Sequence, residues 1–305
     1  MTAPYLLRLL CLSLASFFLL HFALAAVVAA FAGRALRAAE AMTPRAGARL
    51  LLGLRLLPPV VAALLVAGIC APSYLWLEPE GTGERAGIAC IAAAALGGWI
   101  CAAGIARAIG AAVRSRRYLR QCRAAAAAGA PVMLLAGVFR PRLIVSRGVR
   151  RALDAEQLAA AVRHERAHRT SRDNLKRLLL AAAPGVFPFR GGLRRLERGW
   201  ARLAEWAADD RAAAGDPDRS LALAGALVRM ARLVHAIEAG PLACSLVGDT
   251  AELAVRVERL LNPAPVRSRP ILRWPALVAA AGVAAVLAQP GTLYTAHRIL
   301  EEFMR

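Results

Sequence analysis

Four long stretches of the chain contain no aspartate, glutamate, lysine or arginine, and they limit the fold more than any other feature. They cover residues 9–33, 56–77, 86–106 and 274–296, so each has between 21 and 25 residues. About 20 apolar residues in a helix cross a hydrocarbon layer of ~30 Å. The sequence therefore predicts four transmembrane helices. We expect the first to be a retained span, because its apolar run is too long for a cleaved signal peptide.

The composition agrees with membrane insertion and disfavours other functions. The 305-residue chain is 58% hydrophobic, with a mean hydropathy of +0.49, which is too apolar for an ordinary soluble domain. Its formal net charge is +20, but Lys176 is the only lysine, as expected of GC-rich coding. No patch interleaves arginine with stacking aromatic residues. We therefore expect basic loops beside a bilayer, with membrane lipid as a partner and no direct nucleic-acid binding.

The charges of the loops predict the topology of the chain. Five arginines and one glutamate lie between the first two predicted spans, and six more arginines follow the third span within residues 107–123. Between the second and third spans, residues 78–85 hold three glutamates and one arginine. Because positive loops stay in the cytoplasm, we expect residues 107–273 to be cytoplasmic. Both termini, including a short tail at 297–305, are expected to be extracytoplasmic.

The segment 107–273 predicts a mostly helical domain with one small β-hairpin. Two short apolar runs, 132–136 and 143–145, are separated by Gly137 and Pro141, which is typical of a hairpin. The whole chain is therefore predicted to be a mainly α membrane protein, with four transmembrane helices and a helical cytoplasmic domain that includes a small sheet.

Further elements follow from hydrophobic periodicity and from the positions of proline. Helical spacing of apolar residues extends over 193–213 and 219–239, and residues 262–270 form a proline-rich linker. The twelve apolar residues 178–189 are too few to span a bilayer. A buried turn of the core, a dip into the membrane surface and a re-entrant segment are three alternatives that the sequence leaves open.

The motif HERAH predicts a zinc site on a helix. Asp154 followed by Gln157 fits a capping box, so His164 and His168 fall in the second half of that helix. Residues four apart lie on one helical face, and both imidazoles can reach one ion. Glu165 lies beside them, where it can act on a water without binding the ion. This H-E-x-x-H pattern is typical of zinc metallopeptidases, in which the glutamate is the general base.

A catalytic zinc needs a third protein ligand and an open position. The six cysteines contain no C-x-x-C pair, so neither a cysteine zinc site nor a disulfide framework is expected. Four downstream acids are candidate ligands: Glu197, Glu205, Asp209 and Asp210. Glu205 and Asp209 lie four apart on one helical face, so Glu205 can bind the ion while Asp209 accepts a hydrogen bond from a zinc-binding histidine.

These residues resemble one known family. The stretch RPRLIVSRGVRRALDAEQLAAAVRHERAHRTSRDNL, an apolar Phe-Pro segment, RLAEWAADD and VERLL together resemble the membrane zinc metallopeptidases typified by the β-lactam sensor–transducers of the BlaR/MecR type. The resemblance covers most of residues 107–261, and the order of three spans, protease and one span is also similar. It implies a cytoplasmic gluzincin domain in the bacterial inner membrane. The site residues that it implies are His164, His168 and Glu205 as ligands of Zn²⁺, Glu165 as general base, and Asp209 as the residue that orients a histidine.

The resemblance also implies an activity. It favours an endopeptidase that cuts a cytoplasmic or membrane-proximal protein in signal-linked regulation, with a transcriptional repressor as one candidate substrate. The archetypes carry a penicillin-binding sensor after the last span, whereas nine residues follow it here, without an S-x-x-K or K-T-G motif. We therefore do not expect β-lactam sensing. A membrane-protein quality-control protease of the HtpX type and a non-cleaving zinc-binding signalling scaffold are the alternatives.

Overall fold

The chain is mostly helical in a computed structural model that describes residues 3–77, 87–233, 244–245 and 250–262, together with single positions after residue 288. Ten α-helices and three short strands occur among these residues. In chain order they are α1 (Ala3–Glu40), α2 (Pro44–Leu65), α3 (Ala71–Leu77), α4 (Ile88–Ala127), β1 (Met133–Ala136), β2 (Arg142–Val145), α5 (Arg147–Ala152), α6 (Ala155–Ser171), α7 (Asp173–Ala182), α8 (Arg190–Ala213), α9 (Pro217–Leu233), β3 (Cys244–Ser245) and α10 (Thr250–Leu261).

Three helical segments are long and apolar enough to cross a membrane: Ala3–Glu40, Pro44–Leu77 and Ile88–Ala127. The second consists of α2, the π-helical turn Val66–Cys70 and α3 in one continuous run. These segments contain the first three predicted spans almost completely, and large apolar side chains on them are exposed in the isolated chain. The fourth predicted span, 274–296, lies outside the described residues apart from single positions.

The helices that contain the first and third spans are longer than their apolar stretches. The third predicted span ends at residue 106, whereas α4 continues to Ala127. Alanine and arginine are among the best helix formers, and they dominate this continuation. Hydropathy predicts the end of an apolar span but not the end of a helix, so α4 continues past residue 106 without a loop.

The predicted β-hairpin is present, and a third strand extends it. β1 lies between β2 and β3, and both pairs are antiparallel. Met133 pairs with Val145 and Ala136 with Arg142. Gly137 follows β1 with φ +103°, a backbone conformation that side chains with a Cβ rarely adopt. The short strand β3 was not predicted, because two residues carry no periodicity.

Helix α8 packs on two candidate membrane spans at one end and on α6 and α9 at the other. Its N-terminal half buries Leu193, Leu196 and Trp200 against α1 and α2. Its C-terminal half buries Ala212 and Ala213 in a second cluster, with residues of α6 and α9. Glu205 and Asp209, the predicted site residues on α8, lie between these two contacts.

The remaining predicted elements have these outcomes. The helix predicted over 193–213 begins earlier, at Arg190. The helix predicted over 219–239 is described as Pro217–Leu233, and the rest of it lies outside the described residues, as does the linker 262–270 after its first residue. The stretch 178–189 is the end of α7 followed by a turn, in which Ala183 and Val186 are buried.

The contact between α1 and α4 predicts a difference between two adjacent glycines. A Cβ atom at Gly97 would collide with the backbone carbonyl oxygen of Leu14, whereas at Gly98 the nearest heavy atom is 3.9 Å away. We expect Gly97→Ala to lower the free energy of unfolding by about 1–3 kcal/mol, because the backbones must move apart. Gly98→Ala is the matched control and should be neutral or slightly stabilising. Thermal unfolding of the full chain in detergent measures both, and equal effects would contradict this packing.

Candidate metal centre

The motif HERAH lies on α6, as predicted. The helix begins after Asp154, whose Oδ1 accepts a hydrogen bond of 2.8 Å from the backbone N–H of Gln157. His164 and His168 are one turn apart and fully buried, and their ring centroids are separated by 4.7 Å. Their Nε2 atoms face each other at 3.1 Å. The helix therefore presents two imidazole nitrogens to one point.

Glu205 of α8 brings a third ligand atom to the same point. Its Oε2 lies 3.6 Å from Nε2 of His164 and 3.5 Å from Nε2 of His168. Ligands that bind zinc at about 2.1 Å in a tetrahedral arrangement are separated from one another by about 3.4 Å. The triangle of 3.1, 3.5 and 3.6 Å is close to that separation. The cluster of His164, His168 and Glu205 could therefore hold a metal ion.

One aspartate lies beside the Nδ1 nitrogen of each histidine ring. Nδ1 of His164 lies 2.9 Å from Oδ1 of Asp209, and Nδ1 of His168 lies 2.8 Å from Oδ2 of Asp173. An imidazole that donates from Nδ1 to a carboxylate has a lone pair at Nε2 when it is neutral. With the ring hydrogens on Nδ1, beside Asp209 and Asp173, two such lone pairs would face Oε2 of Glu205. This donor set fits a divalent cation such as zinc.

Asp173 also belongs to the site, although it lies outside the HERAH motif and was not predicted as a site residue. It lies directly after Arg172, which has φ 55° and ψ 40° and ends α6 in the left-handed conformation. The reversal turns the start of α7 back toward His168. Lys176 donates to Oδ1 of Asp173 at 2.7 Å and holds the carboxylate in place. A signal was present in the sequence, since an acid five residues after the second histidine follows the end of the helix.

Asn174 connects this junction to the sheet. Its buried side-chain amide donates to the carbonyl oxygens of Leu135 at 3.0 Å and Gly137 at 2.8 Å. The end of β1 is thereby held against the start of α7, close to the two histidines. A lone asparagine in SRDN gives no sequence signal for this role, because its partners are 37 and 39 residues away.

Arg256 of α10 is the second site residue that sequence reasoning missed. Its Nε and Nη2 donate to the two oxygens of Asp209 at 2.8 and 2.7 Å, a bidentate pair. Its Nη1 lies 3.4 Å from Oε2 of Glu205. The guanidinium is almost completely buried. One cation thus contacts both Asp209 and Glu205 of α8. VERLL, which follows Arg256 directly, was the only part of α10 singled out from the sequence.

Glu165 is buried at the site without a partner for its carboxylate. Neither oxygen has a hydrogen-bond partner among the described residues. Burial raises the pKa of Glu165 to about 7, although the neighbouring His164 and His168 oppose the shift. A carboxylate with free lone pairs and a pKa near neutrality is suited to accept a proton and return it.

The charges of the other acids are strongly favoured. Burial alone would raise the pKa of Glu205, but the neighbouring His168, His164 and Arg256 hold it well below its usual value. Burial likewise opposes ionisation of Asp209, and its pKa is lowered chiefly by Arg256. Asp173 has a lowered pKa because its hydrogen bond to His168 outweighs burial. All three are therefore anionic acceptors near neutral pH.

The four acids that the sequence offered as candidate ligands have different surroundings in the structure. Glu197 accepts from Nε of Arg55 at 2.7 Å, and Asp210 pairs with Arg259 at 2.9 Å on the surface. Neither is part of the cluster that could hold a metal. Glu205 lies beside the two histidines, and Asp209 contacts a ring nitrogen rather than the point where the three ligand atoms meet.

The contact of Asp209 with His164 predicts a loss of metal affinity. We expect Asp209→Asn to weaken zinc binding by about 10–100-fold, because the amide no longer stabilises the required form of the ring. The adjacent Asp210→Asn removes an exposed acid and should bind zinc like the original chain. Competition with a chromophoric chelator on the full chain in detergent measures both. Equal affinities for the two variants would show that Asp209 does not support the metal.

The burial of Arg256 predicts a difference in stability from Arg259, which lies on the same helix. Arg256→Met leaves Asp209 as a buried charge without its partner and should cost about 3–5 kcal/mol of unfolding free energy. Arg259→Met breaks a more exposed pair and should cost at most about 1 kcal/mol. Unfolding midpoints of the metal-free chain give the comparison, and similar midpoints would refute a structural role for the buried pair.

Comparisons with known proteins found no match. No protein-family model, no curated protein and no solved structure matches the chain. The resemblance to BlaR/MecR-type peptidases therefore stays a prediction from the motifs. The described structure provides three apolar helices that could span a membrane and one buried cluster of two histidines and a glutamate that could hold a metal ion.

Proposed function

We propose that the chain is a multi-pass membrane endopeptidase that depends on zinc. The observation that carries the proposal is the convergence of His164, His168 and Glu205 next to a buried Glu165 whose carboxylate has no hydrogen-bond partner among the described residues. A purely structural site has no use for a buried free acid at this position, and burying one is costly. Two imidazoles and one carboxylate, with an open fourth position, are a typical ligand set for catalytic zinc.

The roles of the residues follow from their contacts. A zinc ion held by the three ligands would supply a Lewis acid that polarises a peptide carbonyl and lowers the pKa of water toward ~7. Glu165 accepts a proton from the attacking water and delivers it to the amine that leaves. Asp209 lies beside Nδ1 of His164 and Asp173 beside Nδ1 of His168, which favours hydrogens on these nitrogens and leaves both Nε2 atoms for the ion.

The location of the site favours a substrate at or near the membrane. Glu205 lies on α8, and the N-terminal half of this helix packs on α1 and α2. The helix that carries Glu205 of the proposed reaction centre therefore also packs on two candidate spans. With the loop charges that predict a cytoplasmic domain, this favours cleavage of a cytoplasmic or membrane-proximal protein in regulatory proteolysis, as the BlaR/MecR resemblance implies. A repressor is one candidate substrate, and misfolded membrane proteins are the alternative of the HtpX type.

A comparison of Glu165→Gln with Arg166→Gln tests the proposal. The amide cannot carry the proton, so we expect cleavage of fluorescein-labelled casein by the full chain in detergent to fall by about 10²–10⁴-fold. Zinc content should be unchanged, because Glu165 is not a ligand. Arg166 is the next residue and is exposed, so its variant should retain both zinc and activity.

The same assay distinguishes the peptidase from a scaffold. His164→Ala should lose both zinc and cleavage, since it removes a ligand. If the original chain loaded with zinc and Glu165→Gln release fluorescent peptides at the same rate, the casein cleavage does not come from this site. The non-cleaving scaffold would then be the better hypothesis.

A further inference from the structure

A cavity lined by arginines lies apart from the candidate metal centre, where helices α2, α4, α7 and α8 meet. Its volume is about 130 Å³. This is below the ~300–1,000 Å³ of pockets for drug-sized ligands, so it suits a small ionic group. Four of the described residues that line it are arginines and one is an acid: Arg55, Arg107, Arg190, Arg194 and Glu197.

The innermost arginine of the cavity has unused hydrogen-bonding capacity. Nε of Arg55 donates to Glu197 at 2.7 Å and Nη2 donates to the carbonyl oxygen of Ala183 at 3.0 Å. Its Nη1 has no hydrogen-bond partner among the described residues, although the side chain is only 4% exposed. A buried donor without an acceptor is costly. An anion in the cavity would supply the missing acceptor.

The other arginines increase the positive potential of the cavity. Nη2 of Arg107 donates to the same carbonyl of Ala183 at 3.1 Å, which brings a second guanidinium beside Arg55. Arg190 and Arg194 are exposed and line the mouth of the cavity from the first turns of α8. A single carboxylate, Glu197, opposes these four cations. Several guanidinium groups around one point are suited to the oxygens of a phosphate group.

The level of the cavity relates it to the membrane boundary. Arg55 directly precedes the apolar stretch 56–77, and Arg107 directly follows the apolar stretch 86–106. The two residues therefore mark the same end of two antiparallel spans. Phe187, in the turn between α7 and α8, is 83% exposed nearby in sequence, and aromatic side chains are frequent at this level of a bilayer.

We propose that the arginine cavity binds a phosphate group at the membrane boundary. Basic pockets between transmembrane helices bind the headgroups of anionic lipids, so the phosphate of an anionic phospholipid is one source, and free inorganic phosphate is the other. This phosphate site does not depend on the metal centre, so no outcome of the zinc and cleavage experiments affects the proposal.

Native mass spectrometry of the full chain in mild detergent tests the cavity, with phosphatidylglycerol as the probe and phosphatidylcholine as the neutral lipid. We expect one phosphatidylglycerol to be retained in preference to phosphatidylcholine. Arg190→Gln with Arg194→Gln should raise the dissociation constant for phosphatidylglycerol by about tenfold or more. Arg55 is left unchanged in the test, because its buried pair with Glu197 supports the fold.

The matched control is the double variant Arg195→Gln with Arg198→Gln. These arginines are exposed on the same helix but do not line the cavity, so the control should bind lipid like the original chain. If inorganic phosphate binds by itself and displaces the lipid from the original chain, the cavity takes free phosphate. If both double variants lose lipid equally, or if the lining variant loses none, binding is a general surface effect and the proposal is overturned.

Discussion

The architecture depends on α8, because one helix has to pack on two different neighbours along its length. Leucines and a tryptophan in its first half are buried against α1 and α2, and alanines near its end are buried against α6 and α9. Gly199 allows the first contact, since a Cβ there would collide with the side chain of Leu36. The acids that face the histidines are held between these contacts, so the position of Glu205 is set by packing on both sides.

The candidate metal centre is a buried group of charges in which each member has a defined partner. Burying isolated carboxylates costs several kcal/mol each, and partial pairing does not offset that cost. Here Arg256 neutralises Asp209, Lys176 pairs with Asp173, and each aspartate in turn contacts a ring nitrogen. Glu165 is the exception, since no described residue donates to it. The one acid without a hydrogen-bond partner is also the one to which the proposed reaction assigns the proton.

The arginine cavity and the candidate metal centre lie along the same helix, but the first gathers positive groups and the second gathers acceptor atoms. At the first turns of α8, guanidinium groups surround a space with one opposing carboxylate, Glu197. Two turns after Glu197, Glu205 joins two histidines at a point where acceptors converge. The first arrangement suits an anion, and the second could hold a cation. The two proposed ion sites therefore lie about two turns apart on α8, the cavity at Glu197 and the candidate metal centre at Glu205.

Much of the fold and half of the site could be predicted because they depend on residues close together in sequence. Three of the four predicted spans coincide with helices that could cross a membrane and follow from the absence of charge over twenty or more residues; α6 follows from its cap at Asp154 and the spacing of its apolar face. The proximity of His164 to His168 is a property of one helical turn. The hairpin follows from two apolar runs and a glycine that accepts a positive φ.

The tertiary structure decided everything that depends on helices crossing. Four acids were candidates, and the spacing of Glu205 and Asp209 favoured Glu205 as a ligand; the packing of α8 on α6 brings Glu205, and neither Glu197 nor Asp210, to the histidines. Arg256 lies 47 residues from Asp209, and no local rule pairs them. Periodicity records which face of a helix is buried, but it does not record which partner covers that face. The sequence by itself therefore determined the candidate spans and the paired imidazoles, and it indicated Glu205 and Asp209; only the three-dimensional packing determined the contacts of Asp173 and Arg256 and the arginine cavity, because these join residues from separate helices or from across a helix end.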